Sequence, residues 1–432
     1  MGVSESIAGE VRRRPLARIP AGLVPWIRRR LLASLDGIRW GHVEIHDPFG
    51  HRTLGDPGNP GPRVTVRIHD ADFYGYAGLG GSVGAGQSYF LELWEAEPLV
   101  DLVRIMVRNR EVLDRMDGGL ARLGRPLYAF FDRRRRNSLG GSRTNISAHY
   151  DLGNRFFEVM LDPTMMYSSA IFPDGETTLE DAQRHKLDVI CDKLCLGPES
   201  HLLEIGTGWG GLAVHAAQRH GCRVTTTTIS REQYAYARAR VEGAGLGDRV
   251  TVLFQDYREL EGRYDRLVSI EMIEAVGHQY FDTFFARVDE LLTDDGMALI
   301  QGITIEDQRY ELYRRSVDFI KRFVFPGGCL PSVSVMTDAV RRVTSLRVRH
   351  LEDLGQHYAR TLDLWRRRIE GRAEELLEAG HDAAFLRLWR FYLAYCEGGF
   401  RERSIGDVQL LLEKPECRLP SPVTGVAPGW QP

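Results

Sequence analysis

The sequence lacks several features that would place it in a familiar class of proteins. Its 432 residues include six cysteines, none of them in a C-x-x-C pair, so we expect neither a zinc site nor a disulfide framework. No apolar run reaches the roughly 18 residues that a transmembrane helix needs, and no signal peptide is visible. We therefore expect a cytoplasmic protein without a resident metal.

Lysine is absent from residues 1–150, which carry 22 arginines and 16 acidic residues and hence a net charge of +6, although the whole chain has a charge of −3. A basic front end on an acidic body suggests an anionic partner such as a membrane surface. An arginine-rich proteome would produce the same composition without any such partner. Residues 17–35 mix large apolar side chains with Arg28, Arg29 and Arg30, so they predict an amphipathic helix that lies on a bilayer or packs on its own domain.

Residues 1–140 are predicted to form a smaller α+β domain. Apolar and polar residues alternate over 40–73, which indicates short antiparallel strands, and residues 89–116 look helical. Residues 125–145 contain four consecutive arginines, Arg133–Arg136, followed by a Gly-Gly-Ser linker, and we place the domain boundary there. The arginine run either contacts lipid phosphate or ends a solvated helix.

From residue 146 onward the chain alternates short apolar runs with helical patterns, for example at 231–243 and 279–292. This alternation predicts an α/β fold, a doubly wound parallel sheet with helices on both faces. Ligands of such sheets bind at the carboxyl ends of the strands. The predicted strands are 201–205, 223–229, 250–254, 265–270 and 297–303.

A glycine-rich turn, HLLEIGTGWGG, follows the first of these strands. Gly206, Gly208 and Gly211 satisfy the G-x-G-x-x-G spacing of dinucleotide-binding folds, but the next strand ends without the acid that would bind the ribose. The spacing E-x-G-x-G-x-G, which begins at Glu204, is also that of the turn that holds S-adenosylmethionine in class I methyltransferases. The turn alone leaves both interpretations open.

Polar residues stand where the later strands end. Thr228–Gln233 offers hydroxyl and amide groups to ribose hydroxyls or to the amino-acid part of a cofactor. Asp256 could accept from an adenine amino group, and Glu271 and Glu274 follow the fourth strand. Each of these residues could equally cap a helix, but their joint placement at strand ends favours a cofactor site.

Eight ordered motifs resemble the cyclopropane fatty acid synthase family, which includes mycolic acid and related fatty acyl methyltransferases. The resemblance is strong over 146–412 and weaker in the front domain, through GQSYFLELW at 86–94. It implies a class I, Rossmann-like methyltransferase domain over 146–412. The motifs are HYDLGNRFFEVMLDPTMMYSSAIF, LEIGTGWGGL, TISREQ, QDYREL, SIEMIEAVG, FPGGCLPS, HYARTLDLW and YLAYCEGGFR.

The resemblance also implies site residues. Glu274, Ile303 and Tyr358 match active-site positions, and Cys396 matches a cysteine designated catalytic in the family. A nucleophilic role for that cysteine is hard to justify, because methyl transfer to an alkene needs no covalent enzyme intermediate. The residues implied to contact S-adenosylmethionine are Tyr167, Ser168, Glu204, Gly206, Gly208, Trp209, Gly210, Thr228, Ile229, Ser230, Gln233, Asp256 and Tyr257.

Two residues depart from the family pattern. In the cyclopropane synthases the base that removes the final proton is thought to be bicarbonate, held by a Cys, a Glu, a His, a Tyr and a backbone amide. Here Ser169 stands at the Cys position and Gln301 at the His position. Both can still hydrogen-bond an anion, but Gln cannot carry charge or relay a proton. The product is therefore either a cyclopropane or a methylene branch, which a separate reductase would convert to a methyl branch, as in relatives with Gln at this position.

The expected activity is methyl transfer from S-adenosylmethionine to the double bond of unsaturated fatty acyl chains of phospholipids in a bacterium. We expect residues 1–140 to face lipid at the inner membrane surface, residues 306–412 to cover the acyl site, and 413–432 to form a tail. No nucleic-acid partner is expected, and a homodimer is left open. Two alternatives are a small-molecule N-methyltransferase and a non-catalytic lipid-binding protein with the same fold.

Overall fold

The computed structural model describes residues 20–119 and 153–420. The predicted linker at 125–145 and the Arg133–Arg136 run lie outside the described residues. The chain divides into two compact units, and the first takes up the N-terminal part together with residues 311–327 and 359–405. The second contains the rest of the described chain. The functional division at 140–146 and the covering role of 306–412 stay predictions.

The first unit contains a four-stranded sheet of β1 (His42–Asp47), β2 (Gly50–Leu54), β3 (Arg63–Ile68) and β4 (Trp94–Glu97), in the order β2-β1-β3-β4. β1 and β2 are antiparallel, as the alternating pattern predicted. β1 and β3 are parallel, however, so the prediction of antiparallel strands throughout 40–73 was wrong. Alternation predicts which face of a strand is buried, but the direction of pairing depends on the connection between strands.

The predicted helix at 89–116 is also wrong in part, because β4 interrupts it between Phe90 and Leu99. The predicted helix within 17–35 is present, and it buries Ile27 and Leu31 within its own unit while Trp26 is half exposed. Arg28 on this helix donates to the Asp47 carboxylate at 2.7 Å. Within its described residues, the first unit contains a 3₁₀ turn at Ala21–Leu23 and the helices Val24–Ser34, Phe73–Phe90, Leu99–Arg108, Arg110–Gly118, Phe319–Phe323, Ala373–Glu378 and Ala383–Arg401.

The second unit contains a seven-stranded sheet of β5 (His201–Ile205), β6 (Arg223–Thr228), β7 (Val250–Phe254), β8 (Tyr264–Ile270), β9 (Leu292–Ile305), β10 (Arg347–Asp353) and β11 (Ile405–Glu413). Their order is β10-β11-β9-β8-β5-β6-β7. The five strands from β9 to the β7 edge are parallel, and all five overlap the predicted runs. β10 and β11 are antiparallel to each other, and β11 lies between β9 and β10.

Alternate residues of the parallel strands enter two different apolar cores. Leu203 and Leu267 pack in the core that contains helix Phe281–Leu291, whereas Leu202 and Val268 pack in the core that contains helix Gly211–His220. Because successive strand side chains point to opposite faces, helices cover both faces of this sheet. This is the doubly wound α/β arrangement that the sequence predicted, so the fold-class prediction is confirmed.

The part of this unit that the structure describes also contains the helices Asn154–Met160, Leu179–Lys193, Arg231–Gly243 and Val333–Val343. The division of the chain into units falls within the helices Asp307–Tyr313 and Gly355–Gly371. Short 3₁₀ turns occur at Tyr257–Glu259, Ile273–Ala275 and His278–Tyr280. Among the described residues, no helix combines the length and the apolarity that crossing a bilayer would take.

Candidate active site

The glycine-rich turn connects β5 to helix Gly211–His220, as predicted. Gly206, Gly208 and Gly210 all have positive φ, at 104°, 52° and 80°, which L side chains rarely adopt. A Cβ placed on Gly208 would meet no atom within 4 Å, whereas one on Gly211 would lie 2.6 Å from the Thr164 carbonyl oxygen. The turn therefore needs glycine for its own shape, and its backbone at Gly208 borders open space that a ligand can approach.

Glu204 ends β5 as a buried carboxyl group. The Thr226 hydroxyl donates to its Oε2 at 2.6 Å, and burial raises the pKa of Glu204 to about 8. Trp209 is buried in the turn, where its Nε1 donates to Asn154 Oδ1 at 2.9 Å and its ring centroid lies 4.7 Å from that of Phe157. The contacts of Glu204 before the glycines and of Trp209 among them thus fix the predicted cofactor loop.

The segment Thr228–Gln233, which includes Ile229, joins β6 to helix Arg231–Gly243. Ser230 caps this helix, since its Oγ accepts from the Gln233 N–H at 3.3 Å. The Thr228 hydroxyl donates to the Gln233 side-chain oxygen at 3.0 Å. In the structure, Ser230 therefore caps the helix and Thr228 bonds Gln233, as the helix-cap interpretation predicted. Binding of a ribose by these residues stays a prediction.

Asp256 and Tyr257 follow β7, also as predicted. The Asp256 carboxylate caps the 3₁₀ turn and accepts from the Arg258 backbone N–H at 3.0 Å and from its guanidinium at 2.7 Å. The Tyr257 hydroxyl is buried without a hydrogen-bond partner among the described residues. Burial raises the pKa of Tyr257 to about 12, so this hydroxyl stays protonated and keeps a proton to donate.

Tyr167 and Ser168 directly precede Ser169, the residue that stands at the family's Cys position. The Tyr167 ring lies 5.5 Å from Phe157, centroid to centroid. The Ser168 hydroxyl accepts from the Nζ of Lys186 at 2.7 Å. Lys186 is completely buried, and burial lowers the pKa of its ammonium group to about 8 despite nearby carboxyl groups. The sequence analysis missed Lys186, whose only signal was a lysine among the apolar positions of helix Leu179–Lys193.

Glu274 lies in the 3₁₀ turn after β8, next to the end of β9. The Ile303 backbone N–H donates to its Oε1, and its Oε2 is buried without a hydrogen-bond partner among the described residues. Burial, together with the nearby Glu271 carboxylate, raises the pKa of Glu274 to about 8. The structure thus brings Glu274 and Ile303 together and leaves one carboxylate oxygen available to a cation.

Glu271 forms the centre of a second carboxylate site, although the sequence analysis assigned it no catalytic role. Its Oε1 accepts from the Ser169 backbone N–H at 2.8 Å and from Gln301 Nε2 at 2.9 Å. Its Oε2 accepts from the Tyr358 hydroxyl at 2.5 Å. Burial raises the pKa of Glu271 above its ordinary value, although these hydrogen bonds act in the opposite direction. The signal that could have identified it is a second acid in the motif that carries Glu274.

Gln301 is tied into a buried polar network. Its Nε2 also donates to Asp407 Oδ2 at 2.9 Å, and its Oε1 accepts from Gln409 Nε2 at 3.0 Å. Asp407 is completely buried, and burial next to Glu271 raises the pKa of its carboxyl group well above the ordinary value. The Ser169 hydroxyl donates to the Ala170 carbonyl oxygen at 3.0 Å, so only the backbone of Ser169 reaches Glu271.

Cys396 belongs to a different unit from the other predicted catalytic residues. It lies on helix Ala383–Arg401 in the first unit, whereas Ser169, Glu274, Gln301 and Tyr358 all belong to the second. Burial raises the pKa of the Cys396 thiol far above its ordinary value, so the thiol is protonated at neutral pH. A protonated thiol is a poor nucleophile, which agrees with the sequence-based objection to a covalent role.

The residues present fit S-adenosylmethionine. The backbone at Gly208 borders open space, Asp256 offers acceptors, and Glu274 has a buried oxygen without a partner, which suits a positively charged sulfonium. The fit to bicarbonate is poor. The Ser169 and Ile303 backbone amides, the Gln301 amide and the Tyr358 hydroxyl already donate to carboxylates of the protein.

Comparison with known sequences shows close relatives along most of the chain. The family model for mycolic acid cyclopropane synthetase matches residues 138–410. The tuberculostearic acid methyltransferase UfaA1 of Mycobacterium tuberculosis is 36% identical over 405 residues, which cover 91% of both chains. The cyclopropane-fatty-acyl-phospholipid synthase of Escherichia coli K12 is 36% identical over 349 residues, which cover 80% of this chain and 86% of that protein.

Solved structures of cyclopropane synthases resemble this chain in fold and sequence. The cyclopropane synthase MmaA2 from Mycobacterium tuberculosis is 31% identical and superposes with a TM-score of 0.59, over 63% of this chain and 98% of that one. The mycolic acid cyclopropane synthase CmaA1, solved with S-adenosylhomocysteine and CTAB, gives the same values. Coclaurine N-methyltransferase is 22% identical with a TM-score of 0.53, a likeness of fold alone. The chain therefore belongs to the mycolic acid cyclopropane synthetase family of S-adenosylmethionine-dependent class I methyltransferases.

Proposed function

We propose that this protein transfers the methyl group of S-adenosylmethionine to a carbon–carbon double bond of an unsaturated fatty acyl chain. The observation that carries the proposal is Glu274, whose Oε1 is held by the Ile303 N–H and whose Oε2 is buried without a partner. Such a fixed carboxylate stabilises positive charge that develops beside it during a reaction. Family membership and the glycine turn support the cofactor assignment.

The chemistry needs what these residues offer. The bound cofactor supplies a methyl group activated by a positively charged sulfur. The alkene is a weak nucleophile, and its attack on the methyl carbon leaves a cation on the acyl chain, which water would quench. Glu274 stabilises this cation by charge, and the aromatic face of Tyr358 does so through its electron-rich ring. Tyr358 is buried, and its hydroxyl is anchored on Glu271, so the ring is held in one orientation.

The acyl chain is proposed to be part of a phospholipid. A relative that matches 80% of this chain is named cyclopropane-fatty-acyl-phospholipid synthase. The excess of arginine over residues 1–150 gives the front of the chain a net charge of +6, which suits anionic lipid at the cytoplasmic face of a bacterial membrane. These features favour a lipid substrate over the small amine of an N-methyltransferase.

A methylene-branched product is the second candidate. Gln301 cannot relay a proton, which separates this site from the His-containing pattern of the cyclopropane synthases. A relative that matches 91% of this chain is named tuberculostearic acid methyltransferase. When the cation lies on the carbon next to the one that bears the new methyl group, loss of a proton from that methyl group closes a cyclopropane. When a hydride first shifts so that the cation lies on the methyl-bearing carbon, loss of a proton from the methyl group instead leaves a methylene branch for a separate reductase.

Lipid analysis tests both candidates. A bacterial host without this activity would express the protein and grow on methionine labelled in its methyl group. Mass spectrometry of the phospholipid acyl chains should show one labelled carbon in a cyclopropane or a methylene branch. The Glu274→Gln variant serves as the matched inactive control, and Glu290→Gln, an exposed change on helix Phe281–Leu291, as the active one. Absence of label in acyl chains, with normal binding of S-adenosylhomocysteine, would refute the proposed substrate.

A further inference from the structure

Three hydrogen-bond donors converge on one carboxylate, that of Glu271. They are the Ser169 backbone N–H at 2.8 Å, Gln301 Nε2 at 2.9 Å and the Tyr358 hydroxyl at 2.5 Å. Ser169 and Gln301 are completely buried, and Tyr358 is nearly so. Three donors in a buried site hold the position of a carboxylate as firmly as they would hold a bound anion.

Ser169 and Gln301 stand at the positions where the family's Cys and His are thought to hold bicarbonate, and Tyr358 matches another active-site position. A further backbone amide at an active-site position, the Ile303 N–H, donates to Glu274. An added bicarbonate would therefore lack donors, and it would face the carboxyl groups of Glu271, Glu274 and Asp407. These lie close together, since Glu271 raises the pKa of Glu274 and both raise the pKa of Asp407. A carboxylate has the same planar O–C–O group and the same charge as bicarbonate. We propose that Glu271 is a built-in replacement for bicarbonate and the base that accepts the proton in this enzyme.

The backbone at Glu271 supports the proposal independently. Its φ of 48° lies in the left-handed region, where residues other than glycine are uncommon. This conformation costs free energy, and it persists only where the surrounding structure determines it. Glu271 directly follows β8, and in this backbone conformation its carboxylate lies among the three donors. Glycine would adopt this conformation without strain but would leave the donors without an acceptor.

The proton transfer balances without any further reactant, and it rests on the proposed function. After methyl transfer the acyl chain carries one positive charge. A C–H bond of the transferred methyl group breaks, and its proton passes to a carboxylate oxygen of Glu271. Its electron pair forms the last C–C bond of a cyclopropane or, after a hydride shift that places the cation on the methyl-bearing carbon, the C=C bond of a methylene branch. Burial raises the pKa of Glu271, which makes its carboxylate a stronger base than an exposed glutamate. Gln301 donates to Oε1 of Glu271 and Tyr358 donates to its Oε2, so both carboxylate oxygens are held in place.

The first test uses the unaltered protein. Methyl transfer to vesicles of unsaturated phospholipid would be measured in buffer freed of carbon dioxide and again with bicarbonate restored. Glu271 as the base predicts the same rate in both conditions. A rate that collapses on depletion and returns with bicarbonate would overturn the proposal and leave the proposed function intact. Absence of methyl transfer in both conditions would instead refute the proposed function.

The second test removes the carboxylate. Glu271→Gln keeps the shape but cannot accept a proton, so the rate should fall ~10²–10⁴-fold, the usual contribution of a general base. Glu271→Gly relieves the positive φ and frees three donors, so added bicarbonate or formate should restore part of the lost rate. Calorimetry with S-adenosylhomocysteine should show normal binding in both variants, and Glu290→Gln should match the natural protein. Near-normal turnover in Glu271→Gln without added anion would overturn the proposal.

Discussion

The sharpest prediction concerns the charge on Glu274 and its coupling to the cofactor. Glu274→Gln keeps an oxygen for the Ile303 N–H, so the fold should survive. It removes a charge from the place where positive charge develops, and the loss of one such preorganised group typically costs ~10²–10³ in rate. The free energy lost in the transition state is then about 3–4 kcal/mol.

The pKa of Glu274 adds a second, pH-dependent signature. With a pKa of about 8, this group is mostly protonated in the free protein at pH 7. S-adenosylmethionine carries a sulfonium cation that favours the ionised carboxylate, so its binding must expel a proton below pH 8. Its affinity should therefore rise with pH, by up to about tenfold per unit, and level off above pH 8. The neutral sulfur of S-adenosylhomocysteine should not show this dependence.

Calorimetry with both ligands between pH 6 and 9, in the natural protein and in Glu274→Gln, would measure this coupling. The ratio of the two affinities should depend on pH in the natural protein and be flat in the variant. Turnover on phospholipid vesicles, followed by transfer of labelled methyl, gives the loss in rate. Turnover in Glu274→Gln close to that of the natural protein, or an affinity ratio independent of pH in both, would refute the reasoning.

Three further predictions follow from other parts of the chain. Gly208→Val should abolish cofactor binding in calorimetry while the circular dichroism spectrum is retained, because its side chain would enter the open space beside the turn; normal affinity would contradict the placement of the cofactor. Lys186→Met should lower the free energy of unfolding in urea by about 1–3 kcal/mol, because it leaves the buried Ser168 hydroxyl without its donor; an unchanged midpoint would show that this hydrogen bond contributes nothing to stability. Neutralising the exposed Arg29 and Arg30 should weaken sedimentation with anionic vesicles and reduce its salt dependence; unchanged sedimentation would leave these arginines as ordinary surface residues.

The parallel sheet could be predicted from the sequence because its signals are local. A strand buried on both faces is a short apolar run, and the turn after β5 needs glycines for its positive φ values at Gly206, Gly208 and Gly210. The front sheet was predicted less well, because the alternation that marks β1 and β3 is the same for parallel and antiparallel pairs. The cofactor residues were predicted for the same local reason, as polar side chains at strand ends, and their contact with the cofactor stays a prediction.

The sequence by itself determined the class of fold, the position of the cofactor turn and the family, because each of these is encoded in contiguous residues. Only the tertiary structure decided what Glu271 does and that Cys396 belongs to the other unit from Glu274. The donors of Glu271 stand 102, 30 and 87 residues away along the chain, at Ser169, Gln301 and Tyr358. A carboxylate acquires its basicity from burial and from the groups that surround it, and these are set by the folding of distant segments against one another.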